Sequence, residues 1–229
     1  MSISNSFCEF FDKILTPDFG FKQSGKHWEV NETNPSAQLT TLKVRNSKAE
    51  FVGFNQELTR DMSCLTAKRS TQFEDKGCDG IAFVKINDEE RLLFVELKSK
   101  CTAQNLNDAL KQMCISFLKM HAMLSLCEGY SLREANIVFC AATKYCDKEE
   151  KEKLKLFAHK ASMQDEQKGS GKLLYSLFSD GYISTKLGDL FQIIGINLPL
   201  MLDIRDKKIT VHLQTAQTNS STTAIFDYS

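Results

Sequence analysis

Two short runs hold the residues best suited to chemistry in this chain: Cys78-Asp79-Gly80 and Glu96-Leu97-Lys98. The first opens an apolar, β-rich stretch, Gly80–Ile86, and the second closes another, Arg91–Leu97. Asn87-Asp88-Glu89-Glu90 between them is turn chemistry, so the two stretches read as a β-hairpin. Alternate residues of a strand share a face, which puts Glu96 and Lys98 on one side. An even-length turn centred between Asp88 and Glu89 sets Ile81 opposite Glu96 and Asp79 opposite Lys98, and opposed residues share a face. An odd-length turn would carry Asp79 to the other face. With the even turn, two carboxylates and an ammonium converge at the open end of the hairpin. That set suits a divalent cation. Mg²⁺ takes a few carboxylate oxygens, keeps several waters and accepts phosphate oxygens from a substrate. It polarises a phosphoryl group and acidifies a bound water, while a lysine orients that water or stabilises developing charge.

The flanking elements must position that end. Residues 3–15 predict a helix, from Ile3, Phe7, Phe10, Phe11 and Ile14 at helical spacing. Residues 16–36 read as loop, Leu39–Val44 as a weak strand, Ala49–Arg60 as strand or short helix, and 66–77 as a polar connection. Both hairpin strands are apolar on both pleat faces, as expected of strands covered on two sides. A long helix follows, with Thr102 as N-cap, a stripe from Leu106 to Leu124, and Gly129 at its exit. Asn136–Ala142 reads as a buried strand, so helix and strand form a parallel crossover back onto the hairpin's sheet. Beyond it the pattern predicts a charged helix over 147–168. Ser184 or Thr185 then caps a helix to about Ile194, and Leu198–Ile204 with Lys208–Leu213 makes a final hairpin. Thr215–Thr223 reads as a loose polar tail.

Asp79, a spacer of 16 residues, and then Glu96-Leu97-Lys98 resemble the PD-(D/E)xK nuclease superfamily. Its restriction-endonuclease-like core runs helix, three-stranded meander, helix, strand, with the Asp on the second strand and ExK on the third. Residues 3–143 follow that order, and 144–229 would be a C-terminal extension of one domain spanning 1–229. The resemblance implies an α/β fold with a mixed central sheet flanked by helices and a helix-and-hairpin extension. It implies Asp79 and Glu96 as metal ligands, helped by the backbone carbonyl of Leu97. It also implies Lys98 acting on the nucleophilic water, Mg²⁺ as cofactor and Mn²⁺ as its substitute. The implied activity is metal-dependent phosphodiester hydrolysis, on DNA rather than RNA, as in restriction, phage defence or repair. The alternative is a nucleic-acid-binding or structural subunit that kept the fold without turnover. Some members carry a glutamine on the helix after ExK, and Gln112 matches that place. Two positions depart from the pattern: Cys78 stands where the motif's Pro is usual, and Ser116 where an aromatic follows the glutamine. Glu9 is the candidate for a first-helix glutamate, but it lies opposite the apolar stripe and reads as solvated.

Lys plus Arg and Asp plus Glu both number 29, so no global positive charge announces a nucleic-acid partner. Such a balance fits an enzyme that holds DNA weakly, forms a homodimer or borrows affinity from a partner protein. Local lysines remain available: 98, 100, 111 and 119, with Lys43, Arg45 and Lys48 as a second cluster and Lys68, Arg69 and Lys76 as a third. Eight cysteines without CxxC spacing, no paired histidines, no basic leader and no long apolar run predict a cytoplasmic chain with reduced thiols. They predict no zinc site and no membrane span. Gly169-Ser170-Gly171-Lys172 fails the phosphate-loop pattern at Glu166 and Leu173 and reads as a flexible loop. Trp28 reads as a local anchor or a base-stacking platform.

Overall fold

The computed structural model describes residues 2–14, 23–55, 57–60 and 77–228. The elements run α1 (Ile3–Ile14), β1 (Gln23–Gly25), β2 (His27–Asn31), β3 (Thr41–Arg45), β4 (Ala49–Asn55), α2 (Glu57–Arg60), β5 (Gly80–Ile86) and β6 (Glu89–Lys98). They continue with α3 (Ala103–Leu124), β7 (Asn136–Thr143), α4 (Lys148–Ser162), α5 (Lys168–Asp180), β8 (Tyr182–Lys186), α6 (Leu187–Ile193), α7 (Leu202–Asp206), β9 (Lys208–Thr215) and β10 (Thr223–Asp227). A mixed seven-stranded sheet of order β1-β4-β5-β6-β7-β9-β8 lies between helices and a second sheet of order β10-β3-β2. The chain is therefore α/β with a mixed sheet, as the sequence predicts, but its second covering layer is a sheet.

The strand sequences explain the layering. On β6, Leu92 and Phe94 pack towards α1, α3 and α5, while Leu93, Val95 and Leu97 pack towards Trp28, Val30, Leu42, Val44 and Phe226 of the small sheet. A strand buried on both faces must be apolar at consecutive positions, as this one is. β4, β5 and β6 form an antiparallel meander, and α3 returns the chain so that β7 lies parallel to β6. Thr102 caps α3, its hydroxyl accepting the Asn105 N–H at 3.1 Å. The N-terminus of α1 is held from the hairpin's turn end, where the Glu90 carboxylate accepts the Ile3 and Ser4 N–H groups at 2.7 and 3.0 Å. A carboxylate there satisfies free N–H groups and complements the helix dipole.

Several expectations are corrected. The hairpin turn is Asn87-Asp88 alone, with φ of 49° and 67° at its two residues. Asn and Asp accept this left-handed backbone, and paired left-handed residues make the tight turn that suits twisted strands. Glu89 and Glu90 therefore belong to β6, and Ile81 pairs with Phe94 instead of Glu96. β2 replaces part of the expected loop at 16–36, and Ala49–Arg60 is both a strand and a short helix.

The final hairpin is not Leu198–Ile204 with Lys208–Leu213. Residues 202–206 are helical, and β9 pairs instead with β8, where Ile183 and Thr185 alternate with outward-facing polar neighbours. The expected cap at Ser184 or Thr185 is thus strand, and α6 starts after Lys186. The charged segment over 147–168 breaks at Ser162, and α5 begins at Lys168. Gly169-Ser170-Gly171-Lys172 is the first turn of α5 and not a loop. A Cβ at Gly171 would stand 2.2 Å from the Ser162 backbone nitrogen, so the residue sets a close approach of α5 to the end of α4. Within the expected polar tail, residues 216–222 carry no helix or strand, and β10 starts at its last residue, Thr223; β10 then inserts Ala224 and Phe226 into the core beneath the small sheet and runs parallel to β3.

Candidate active site

β5 and β6 end their ladder at Gly80–Val95, and the acidic side chains take over from there. The Leu97 N–H donates to Asp79 Oδ2 at 2.7 Å, and the Asp79 N–H donates to Glu96 Oε2 at 3.2 Å. Each carboxylate thus holds the other residue's strand. Lys98 Nζ donates to Glu96 Oε1 at 2.7 Å and to the Gln112 side-chain carbonyl on α3. Glu96 and Lys98 share the helix-side face with Leu92 and Phe94, as the period of a strand requires. The turn shift moves the pairing by an even number of residues, so Asp79 stays on that face. The structure therefore brings together Asp79, Glu96, Lys98 and Gln112. Glu9 is exposed on α1.

Both acids are buried, Asp79 at 7% and Glu96 at 2% exposure. Burial pushes Asp79 up to about 7. The Leu97 N–H and Lys98 pull it back, and the Glu32 charge pushes it further. Burial and then the Asp79 charge push Glu96 well above the carboxylate range, against the pull of Lys98. Two acids in one desolvated place favour either a proton or a cation between them. Among the described residues, no group of three or more His, Cys, Asp or Glu side chains gathers into a metal-ligand cluster. A metal here would rest on Asp79, Glu96, backbone carbonyl oxygen and water, a donor set that suits Mg²⁺ better than a softer ion.

Two supporting residues carry no motif signal. The Ser116 hydroxyl, buried on α3, accepts the Cys78 N–H at 2.7 Å and so fixes the approach to Asp79. Gln112 and Ser116 lie one helical turn apart, so α3 grips the tail of β6 and the segment leading into β5 from one face. Trp28 is buried and anchors β2. A Cβ at Gly80 would lie 2.8 Å from its ring, so the glycine after Asp79 makes room for it. Base stacking by Trp28 is thereby excluded, and Glu32, at the exit of β2, joins the electrostatics of the site.

Of the basic residues singled out in the sequence, Lys98 stands in the site and several others are engaged elsewhere. Lys119 is fully buried and bonds the Thr59 carbonyl at 2.8 Å. Lys43 pairs with Glu29 and Arg45 with Asp227. Lys68, Arg69 and Lys76 lie outside the described residues. Among the described residues no helix is long and apolar enough to cross a membrane. Comparison with family models, with curated proteins and with solved structures finds no match to this chain.

Proposed function

We propose that this chain is a Mg²⁺-dependent nuclease that hydrolyses phosphodiester bonds, of DNA rather than RNA, on a restriction-endonuclease-like core. The observation that carries the reading is the buried pair Asp79 and Glu96, both raised by desolvation, with Lys98 bonded to Glu96. An arrangement that costs folding energy and leaves a deficit of positive charge is characteristic of a functional site. The order α1, β4–β5–β6 meander, α3, β7 supports the same core, with Asp79 heading the second meander strand and Glu96 and Lys98 closing the third. The two departures from the motif also answer each other. Cys78 has the N–H that a proline lacks, and Ser116 accepts it in place of an aromatic ring.

Asp79, Glu96 and the Leu97 carbonyl would hold Mg²⁺, which supplies phosphoryl polarisation and a more acidic water when bound. Gln112 and Glu96 hold the Lys98 ammonium in place, so its remaining proton can meet a water or a phosphoryl oxygen without reorganisation. Purified protein incubated with plasmid and Mg²⁺ or Mn²⁺ tests the reading, with Glu96→Ala alongside. Wild type should nick or linearise the plasmid and the variant should not; equal cleavage, or none by wild type, refutes it. A second reading rests on one observation: both Glu96 oxygens are already engaged, by Lys98 and the Asp79 N–H. A closed set of that kind suits a nucleic-acid-binding or structural subunit without turnover, and DNA shifted in a gel yet never cut would select it.

A further inference from the structure

β6 and β7 leave the sheet side by side. Their last pair is Lys98 with Thr143, and the Lys144 N–H ties the two exits by donating to the Lys98 carbonyl at 3.2 Å. Three residues beyond each member of that pair stands a cysteine, Cys101 on one exit and Cys146 on the other. Equal offsets on adjacent parallel strands bring the two side chains together. Each thiol bears on the other's ionisation, as near neighbours do. Both are free and half-buried, whereas Cys78, Cys114, Cys127 and Cys140 are buried. Cys101 lines a cleft of about 400 Å³ with Lys100, Lys144, Asp147 and Glu150, so a small reagent can reach Cys101.

We propose that Cys101 and Cys146 form a redox pair that closes to an intramolecular disulfide, with a low-molecular-weight disulfide such as oxidised glutathione as the oxidant. Cys101 lines the cleft. It loses its proton and attacks one glutathione sulfur. The glutathione S–S bond breaks, and one glutathione leaves as a thiolate that takes up a proton. Cys146 then loses its proton and attacks the Cys101 sulfur, the mixed disulfide breaks, and the second glutathione leaves in the same way. The two protein thiols give up two electrons and two protons, and one glutathione disulfide becomes two reduced glutathiones.

Burial is the main reason both thiols are raised, Cys146 to about 12, with the nearness of Cys101, Glu150 and Asp147 adding to it. Lys151 opposes the rise at Cys101. The attacking thiolate is therefore scarce at neutral pH, and the exchange gains speed in alkaline buffer. The bond would staple the loop that follows Lys98 to the loop that follows β7. It does not depend on the chemistry proposed for Asp79 and Glu96.

Trypsin isolates the two cysteines in separate peptides, 101–111 and 145–148, each with no other cysteine. The test incubates the full chain with excess oxidised glutathione at about pH 9, quenches with acid, and maps peptides by mass spectrometry without reductant. The expected product is the 101–111/145–148 crosslink, two hydrogens lighter than the sum and lost on adding dithiothreitol. It should exceed either glutathione adduct by about tenfold or more, because the second thiol acts at a high effective concentration. In Cys101→Ser the adduct should persist on Cys146, and in Cys146→Ser on Cys101. Three outcomes in wild type overturn the proposal: a persistent adduct on either cysteine, a crosslink to a different cysteine, or both thiols unchanged. The wild-type map decides the matter even if a serine variant fails to fold.

Discussion

Replacing Asp79 with Asn removes a buried charge while keeping an acceptor for the Leu97 N–H, which now reaches Asp79 Oδ2 at 2.7 Å. In the folded chain burial raises this carboxyl from 3.8 to about 7. The folded state therefore keeps its proton to higher pH than the unfolded state does. The site is most stable protonated, and that stability is lost as pH rises from about 4 through about 7. At about 1.4 kcal/mol per pH unit, the ionised Asp79 costs the metal-free protein about 2 kcal/mol at pH 5 and about 4 kcal/mol at pH 8. Asp79→Asn escapes that cost. Whatever the amide itself adds is the same at both pH values, and removing the Asp79 charge also relieves Glu96, which adds to the variant's gain as pH rises. Urea unfolding with a chelator present should show the variant gaining about 2 to 3 kcal/mol on wild type between pH 5 and pH 8. A difference unchanged across that range would refute the account of Asp79 as a desolvated acid, and with it the main argument for a cation site.

Mg²⁺ should raise the melting temperature of wild type, since a ligand at about 100 times its Kd contributes about 2.7 kcal/mol to the state that binds it. Glu96→Gln should lose most of that shift in differential scanning calorimetry, and an equal shift in both would put the metal elsewhere. Lys98→Ala should slow plasmid cleavage by about two to four orders of magnitude while DNA affinity by gel shift changes little, because the ammonium acts mainly in the transition state. Cleavage at the wild-type rate would make Lys98 ordinary strand-end surface. Ser116→Ala leaves the Cys78 N–H buried without its acceptor and should cost about 1–3 kcal/mol in urea unfolding. A change under about 0.5 kcal/mol would mean that α3 does not hold the approach to Asp79.

What was legible in the sequence were features set by local period and parity. α3 could be read because Thr102 caps it and its apolar stripe never breaks. The convergence of Asp79, Glu96 and Lys98 could be read because strand parity survives an even slip of the turn. The register itself could not, since four consecutive polar residues offer two even turns and only the left-handed tolerance of Asn87 and Asp88 selects between them. β2 was hidden by Gly25 and Pro35 on either side of a short alternation, Trp28 and Val30, whose burial depends on a sheet assembled from distant strands. Ser116 and Cys78 lie 38 residues apart, and their bond belongs to the packing of α3. Glu90 reads as turn in the sequence because its real role, closing the start of α1, involves residues 86 and 87 positions away.

The small sheet has a consequence for the order in which the chain can finish folding during synthesis. β3 sits between β2, its near neighbour in sequence, and β10, which contributes the parallel strand from residues 223–227. The β3 edge exists once Arg45 has emerged, but its partner is translated 178 residues later. At about 5–20 residues per second, that is a wait of about 10 to 35 s. Throughout it, the backbone of Thr41–Arg45 is an open template beside an unfinished apolar layer. A nascent chain of this protein is therefore exposed to strand capture by a neighbour on the same message, at an edge the finished molecule no longer offers.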